Sequence, residues 1–106
     1  MIEHPRVWTD RLPSKWADDM PVIIENEHGH HIWRYEGQLF PYIGLNAVAG
    51  KEPKDYGMDP VRYDDMIPGC YDPVERAKDL LSNGIFASVS FPTLPGFGGR
   101  KFATFA

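Results

Sequence analysis

Residues 72–92 constrain this chain more than any other stretch, because they encode a helix marked at both ends and then a run that needs partners. Asp72-Pro73-Val74-Glu75 places a carboxylate at the N-cap, proline at the first helical position and an acid three residues after the cap. Glu75 also stands where it can reach back to the N–H of the cap itself. Val74, Ala77, Leu80 and Leu81 recur at helical spacing, and Asn83-Gly84 supplies a left-handed stop. Ile85-Phe86-Ala87-Ser88-Val89-Ser90-Phe91 then reads as a strand covered on both faces and closed by Pro92. A helix feeding a near-continuously apolar strand is half of a parallel α/β repeat. Such a unit cannot bury its own surfaces, so the expectation is a part of something larger.

Length sets the outer limit. With 106 residues the chain has room for one domain with a modest core. A complete (β/α)8 barrel takes about 250 residues, so at most a corner of one fits. Hydrophobic content of 42% and charged content of 25% are ordinary for a globular protein and argue against disorder. The net charge is -4, and the 11 Lys and Arg residues lie scattered without a basic patch. Nucleic acid and anionic membrane surfaces are therefore not expected partners.

Cys70 is the only cysteine, which excludes an internal disulfide and suits a reducing compartment. No basic segment followed by an apolar run opens the chain, so no signal peptide is expected. No apolar run approaches the ~18 residues of a spanning helix. The expected location is cytoplasmic.

Residues 5–20 suggest one or two short helical turns, with Thr9 or Asp10 capping the first and Pro13 opening the second. Trp8, Leu12 and Trp16 recur four apart and can line one face. From Val22 to Ile43 the pattern predicts a meander of three short strands, turning at Glu27–His30 and at Glu36-Gly37, with Pro41 restricting the last strand to an edge. Residues 44–71 carry many punctuators and little periodicity, as a lid, binding loop or excursion on a larger body would. Asp59-Pro60-Val61-Arg62 echoes Asp72-Pro73-Val74-Glu75 as a second helix start.

Several groups invite chemical readings. Glu27-His28-Gly29-His30-His31 brings three imidazoles close enough in sequence to grip a metal, but the pattern reads better as an exposed hairpin tip. Gly96-Phe97-Gly98-Gly99 with Arg100 and Lys101 follows a strand, yet matches no phosphate-loop spacing and no helix start is recognisable after it. Cys70 precedes a helix N-terminus, which can lower a thiol pKa, but a small packed residue is the simpler reading. Asp18-Asp19 and Asp64-Asp65 read as solvated surface, and the three tryptophans as buried area. On residues alone, no catalytic constellation stands out.

The order of the pieces nevertheless resembles a family. Glu3-His4-Pro5-Arg6-Val7-Trp8, Arg11-Leu12-Pro13, Tyr35-Glu36-Gly37, Gly44 to Gly50, Pro68-Gly69-Cys70-Tyr71-Asp72-Pro73 and Phe91-Pro92-Thr93 are similar to the amidohydrolase-related enzymes. These are TIM-barrel, metal-dependent hydrolases and decarboxylases akin to aminocarboxymuconate-semialdehyde decarboxylase, and the resemblance spans essentially the whole chain. It implies a fragment of a (β/α)8 barrel. Residues 73–83 would be the first outer helix and 85–91 the second barrel strand, with an inserted excursion over residues 5–70. Within residues 1–106 the helix–strand unit would occupy 71–92, and 93–106 would be a loop at the C-terminal face.

The resemblance further implies a divalent metal, zinc above all, held by an Asp-x-His pair that would precede Met1 and by later residues beyond Ala106. No metal ligand and no catalytic residue maps onto a position here. Glu3 and His4 follow the implied pair, but neighbours on a strand point to opposite faces and cannot both serve one site. Phe91, Pro92, Thr93 and Phe97 would face the mouth where substrate binds. The expected function is the N-terminal part of a hydrolase or decarboxylase acting on a small carboxylated substrate, inactive as this fragment. The competing expectation is a stand-alone α+β binding or interaction module. It would cover strand 85–91 through dimerisation, as a homo-oligomer, or with a partner.

Overall fold

The computed structural model describes residues 1–41, 43, 47–57 and 62–103. Tyr42, the Gly44-Leu45-Asn46 start of one family-like segment and the Asp59-Pro60-Val61 echo lie outside the described residues. The fold is a small mixed α/β arrangement with a three-stranded antiparallel sheet and few helices.

The meander forms where alternation and turn residues place it. Strands β1 (Val22–Glu25), β2 (His31–Tyr35) and β3 (Gln38–Phe40) pair in the order β1-β2-β3, with Ile23 opposite Trp33 and Trp33 opposite Phe40. The β2–β3 turn has positive φ at both central residues, 48° at Glu36 and 70° at Gly37, the two-residue geometry whose twist matches the flanking strands. Across the β1–β2 turn, the Asn26 side chain accepts the N–H groups of His28 and His30, each at 3.0 Å. Arg62 fastens this turn from outside, with its guanidinium 2.9 Å from a Glu25 carboxylate oxygen and also donating to the Gly29 carbonyl. That partner holds the Glu25 carboxyl below its ordinary range.

One face of the sheet carries the core. Trp33, only 2% exposed, packs with Ile2, Ile43, Tyr63, Met66 and Leu94, and Trp8 meets it edge-on at 5.0 Å between ring centroids. Residues from both ends of the chain therefore close over the same strand. Trp8, Leu12 and Trp16 do share one face, lining a hollow of about 180 Å³ with Met20 and Tyr35. The first helical turn starts earlier than expected: the His4 ring nitrogen Nδ1 accepts the Arg6 N–H at 3.1 Å, so Thr9 and Asp10 lie inside the turn instead of capping it. Pro13 opens the second turn, Ser14–Trp16, as expected.

Helix α1 (Pro73–Ser82) begins and ends where its sequence signals lie. Asp72 Oδ1 accepts from the N–H groups of Val74 and Glu75 at 2.8 and 3.0 Å. Glu75 does not reach back to the cap, because the Asp72 N–H already donates to the Pro68 carbonyl, and Glu75 pairs with Lys78 at 2.6 Å instead. At the other end Gly84 takes φ 70°, and the N–H groups of Gly84 and Ile85 return to the carbonyls of Leu81 and Leu80. The bonds from Glu75 and Val74 hold the Asp72 carboxyl below its ordinary pKa. A group depressed on folding contributes stability above its unfolded pKa of about 3.9 and loses it as pH falls through the folded value. Asp72→Ala is therefore expected to lower the helical CD signal and the unfolding midpoint near neutral pH. The difference from wild type should shrink in acid, and one that persists unchanged below the folded value would remove the cap as its cause.

The expected strand at 85–91 is corrected by the structure. The segment runs without regular secondary structure, belongs to no sheet among the described residues, and is exposed along its length. Phe86 is 98% exposed and Val89 88%. The reason is physical: a strand exists only where another backbone takes its N–H and C=O groups, and here the meander is complete without it. Helix α1 shares the condition. It buries no residue, and Val74 and Leu81 of its apolar stripe face outward. Its packing is against the Pro68–Cys70 turn, where Gly69 is buried beneath it. A Cβ at Gly69 would overlap the Asp79 carboxylate. Gly69→Ala should cost about 1–3 kcal/mol in chemical denaturation, and adding Asp79→Ala should recover most of that loss.

Candidate functional site

A cleft of about 510 Å³ opens between the N-terminal segment, the turn entering α1 and residues 90–92. Its walls bring together groups that are far apart in sequence. Ile2, Val7, Phe91 and Pro92 supply an apolar surface, and His4, Arg6, Arg11 and Tyr71 supply polar atoms.

Of the four residues expected at a substrate mouth, Phe91 and Pro92 do line this cleft. Thr93 serves another purpose. Its N–H donates to Glu3 Oε1 at 2.6 Å, its hydroxyl donates to Glu3 Oε2, and the Leu94 N–H adds a third bond to Oε1 at 3.1 Å. Phe97 opens the turn Phe97–Gly99, and its side chain lies outside the described part.

The clasp between Glu3 and residues 93–94 joins positions ninety apart, and the sequence offers no local signal for it. A second bond reinforces it: the Tyr63 hydroxyl donates to the Glu3 carbonyl at 2.9 Å while its ring packs edge-on against Tyr71 at 5.1 Å. Burial, followed by the Glu3 charge and Tyr71, raises the Tyr63 phenol far above its ordinary value, so it stays a proton donor at physiological pH. Main-chain pairing completes the seam, with the Ile2 N–H on the Cys70 carbonyl at 2.7 Å. Glu3 and His4 are thus separated in role: Glu3 is committed to the clasp, and the His4 ring tilts against Tyr71 at 6.0 Å on the cleft wall.

The remaining candidates have structural roles. His28 is exposed near Glu27 at 3.5 Å, its ring 6.0 Å from that of His30, whereas His31 Nδ1 accepts the Tyr63 N–H at 3.1 Å. The histidine run therefore disperses. Among the described residues no group of three or more His, Cys, Asp or Glu side chains is arranged to hold a metal ion. Cys70 is packed beside the core, and burial pushes its thiol up, opposite to what a nucleophile needs. Asp65 is more than solvated surface, since it accepts the Arg62 N–H at 2.9 Å. A short helix α2 (Arg100–Ala103) does follow the glycine-rich turn, and its Phe102 ring packs 5.1 Å from Tyr35. The glycines fold the chain back over the sheet.

The sequence matches no family model and no curated protein. No helix among the described residues is long and apolar enough to cross a membrane.

Proposed function

We propose that these residues form the N-terminal part of an amidohydrolase-related TIM-barrel enzyme, a metal-dependent hydrolase or decarboxylase of small carboxylated substrates. The observation that carries this reading is the pairing of a well-capped helix with an uncovered apolar segment, Ile85–Phe91, whose backbone joins no sheet. In a parallel barrel such a segment lies between two neighbours and beneath its helices, so both faces are apolar and both edges paired. The clasp between Glu3 and Thr93 supports the same reading. Residues following adjacent parallel strands emerge at one end of a barrel, and here positions 3–4 and 91–92 line one cleft while Thr93 is bonded to Glu3.

Among the described residues the side chains do not fit a metal on their own. In the proposed parent a divalent ion, zinc above all, would lower the pKa of a bound water or polarise a carbonyl, on ligands supplied by other residues. The small molecule would enter beside Phe91 and Pro92. Nucleic acid and membranes are not proposed partners; the parent would be cytoplasmic and form a homo-oligomer.

A second reading has one observation in its favour. Antiparallel pairing of two copies about Ser88 would set Ile85 against Phe91 and Ala87 against Val89, giving one continuous apolar face. A stand-alone oligomeric binding module of that kind would need no further chain. Intact-mass measurement on the product of this gene in its own cells separates the two. A mass several times 12.1 kDa supports the enzyme part, and a mass of 12.1 kDa together with a concentration-dependent dimer supports the module.

A further inference from the structure

The hollow between the first two helical turns and the end of β2 is small, aromatic and acidic at one point. Trp8, Trp16 and Tyr35 stand around about 180 Å³, buried Met20 and Pro21 extend the apolar wall, and Asp19 is its one charged residue among those described. Backbone pairing builds this arrangement. The Leu12 N–H donates to the Trp8 carbonyl at 2.8 Å, and the Asp19 and Met20 N–H groups donate to the Trp16 carbonyl at 3.0 and 2.9 Å. Trp8 and Tyr35 are held against a common neighbour, their ring centroids 6.3 and 5.1 Å from that of Phe102. The Asp19 carboxylate makes no ion pair or hydrogen bond among the described residues. The Trp16 ring already attracts a cation of the chain itself, since Lys15 Nζ stands 5.3 Å from its centroid.

Size, wall and charge together select an occupant. Sites for drug-sized ligands run from about 300 Å³ upward, so this hollow suits one compact group that touches every wall at once. A carboxylate among aromatic rings favours a cation. A primary ammonium would bring three N–H donors, each needing an acceptor, against a wall that is almost wholly apolar. A quaternary ammonium brings none, and its methyl groups are apolar. We propose that the hollow binds a small quaternary ammonium compound of the choline type, with its methyl groups against Trp8, Trp16 and Tyr35 and its charge beside Asp19. Among the described residues the hollow shares no wall with the cleft at Phe91 and Pro92, so the assignment does not depend on the barrel reading.

The test titrates the 106-residue chain with choline chloride and, separately, with neohexyl alcohol, its neutral isostere with carbon in place of nitrogen. Indole N–H and methyl resonances report on the site. Saturable shifts at Trp8, Leu12, Trp16 and Met20 are expected with choline, and binding of the alcohol should be weaker by about fivefold or more. Asp19→Asn and Trp16→Leu should each weaken choline binding about threefold or more, and Asp19→Asn should leave the alcohol unaffected. Both residues are exposed and lie outside the core cluster, so the variants keep the fold, and the Trp33 indole signal checks that they do. Equal affinity for choline and the alcohol, undiminished choline binding in either variant, shifts centred elsewhere in the chain, or no saturable shift would each overturn the assignment.

Discussion

Phe86→Ser is expected to be nearly silent in the isolated 106-residue chain and severe in the protein the cell makes. The side chain is 98% exposed here, so its removal should change stability by no more than about 0.5 kcal/mol, the usual size of a surface substitution. It should also reduce dye binding to exposed apolar surface. If the same residue is sandwiched in a barrel, truncation removes a buried ring and leaves a cavity, a loss of about 3–5 kcal/mol. Denaturant titrations of the two proteins, wild type and variant, read the contrast directly. A cost equally small in both would mean that the cell leaves this segment uncovered and would count against the barrel.

The second large effect belongs to the core. Trp33 is 2% exposed, sits on the central strand between Ile23 and Phe40, and takes the edge of Trp8 at 5.0 Å. Trp33→Ala truncates one of the largest fully buried side chains of the core cluster, and should cost about 3–5 kcal/mol. A small domain holds about 5–15 kcal/mol in all, and this fold leaves much of its apolar surface open, so most of its stability should go. The cooperative thermal transition and the near-UV signal of the packed aromatics should disappear together. Trp33→Phe, which keeps a ring in place, should retain a transition at lower temperature. A cooperative melt in Trp33→Ala would show that the core is organised around another residue.

These two residues mark the boundary of what can be read from sequence. The caps of α1 were legible because Asp72, Pro73, Asn83 and Gly84 act on backbone groups within a turn of themselves. The meander was legible for the same reason: alternation in His31–Tyr35 and the Glu36-Gly37 turn fix pairing between neighbours in the chain. Segment 85–91 has the composition of a buried strand, but composition states a requirement for neighbours and does not provide them. Its exposure is a non-local fact.

The cleft divides along the same line. Phe91 and Pro92, which the family resemblance implies at a substrate mouth, line the cleft, whereas the Glu3 clasp depends on Thr93 and Leu94 ninety residues away. Tyr63 lies in a stretch without periodicity, yet it joins Glu3, His31 and Tyr71 through two hydrogen bonds and a ring contact. Charge partners escaped notice for a related reason. Arg62 meets Glu25 only after the meander has folded, and Asp65 caps a turn that has no periodic pattern to announce it.

Hydrogen exchange at the backbone amides of residues 86–91, compared between the 106-residue chain and the protein isolated from its own cells, addresses the barrel reading most directly. In the isolated chain these amides should exchange as fast as unstructured peptide, since no strand pairs with them among the described residues. In the native protein a second barrel strand should hold them among the slowest in the molecule, exchanging only with global unfolding. Fast exchange in both would contradict it.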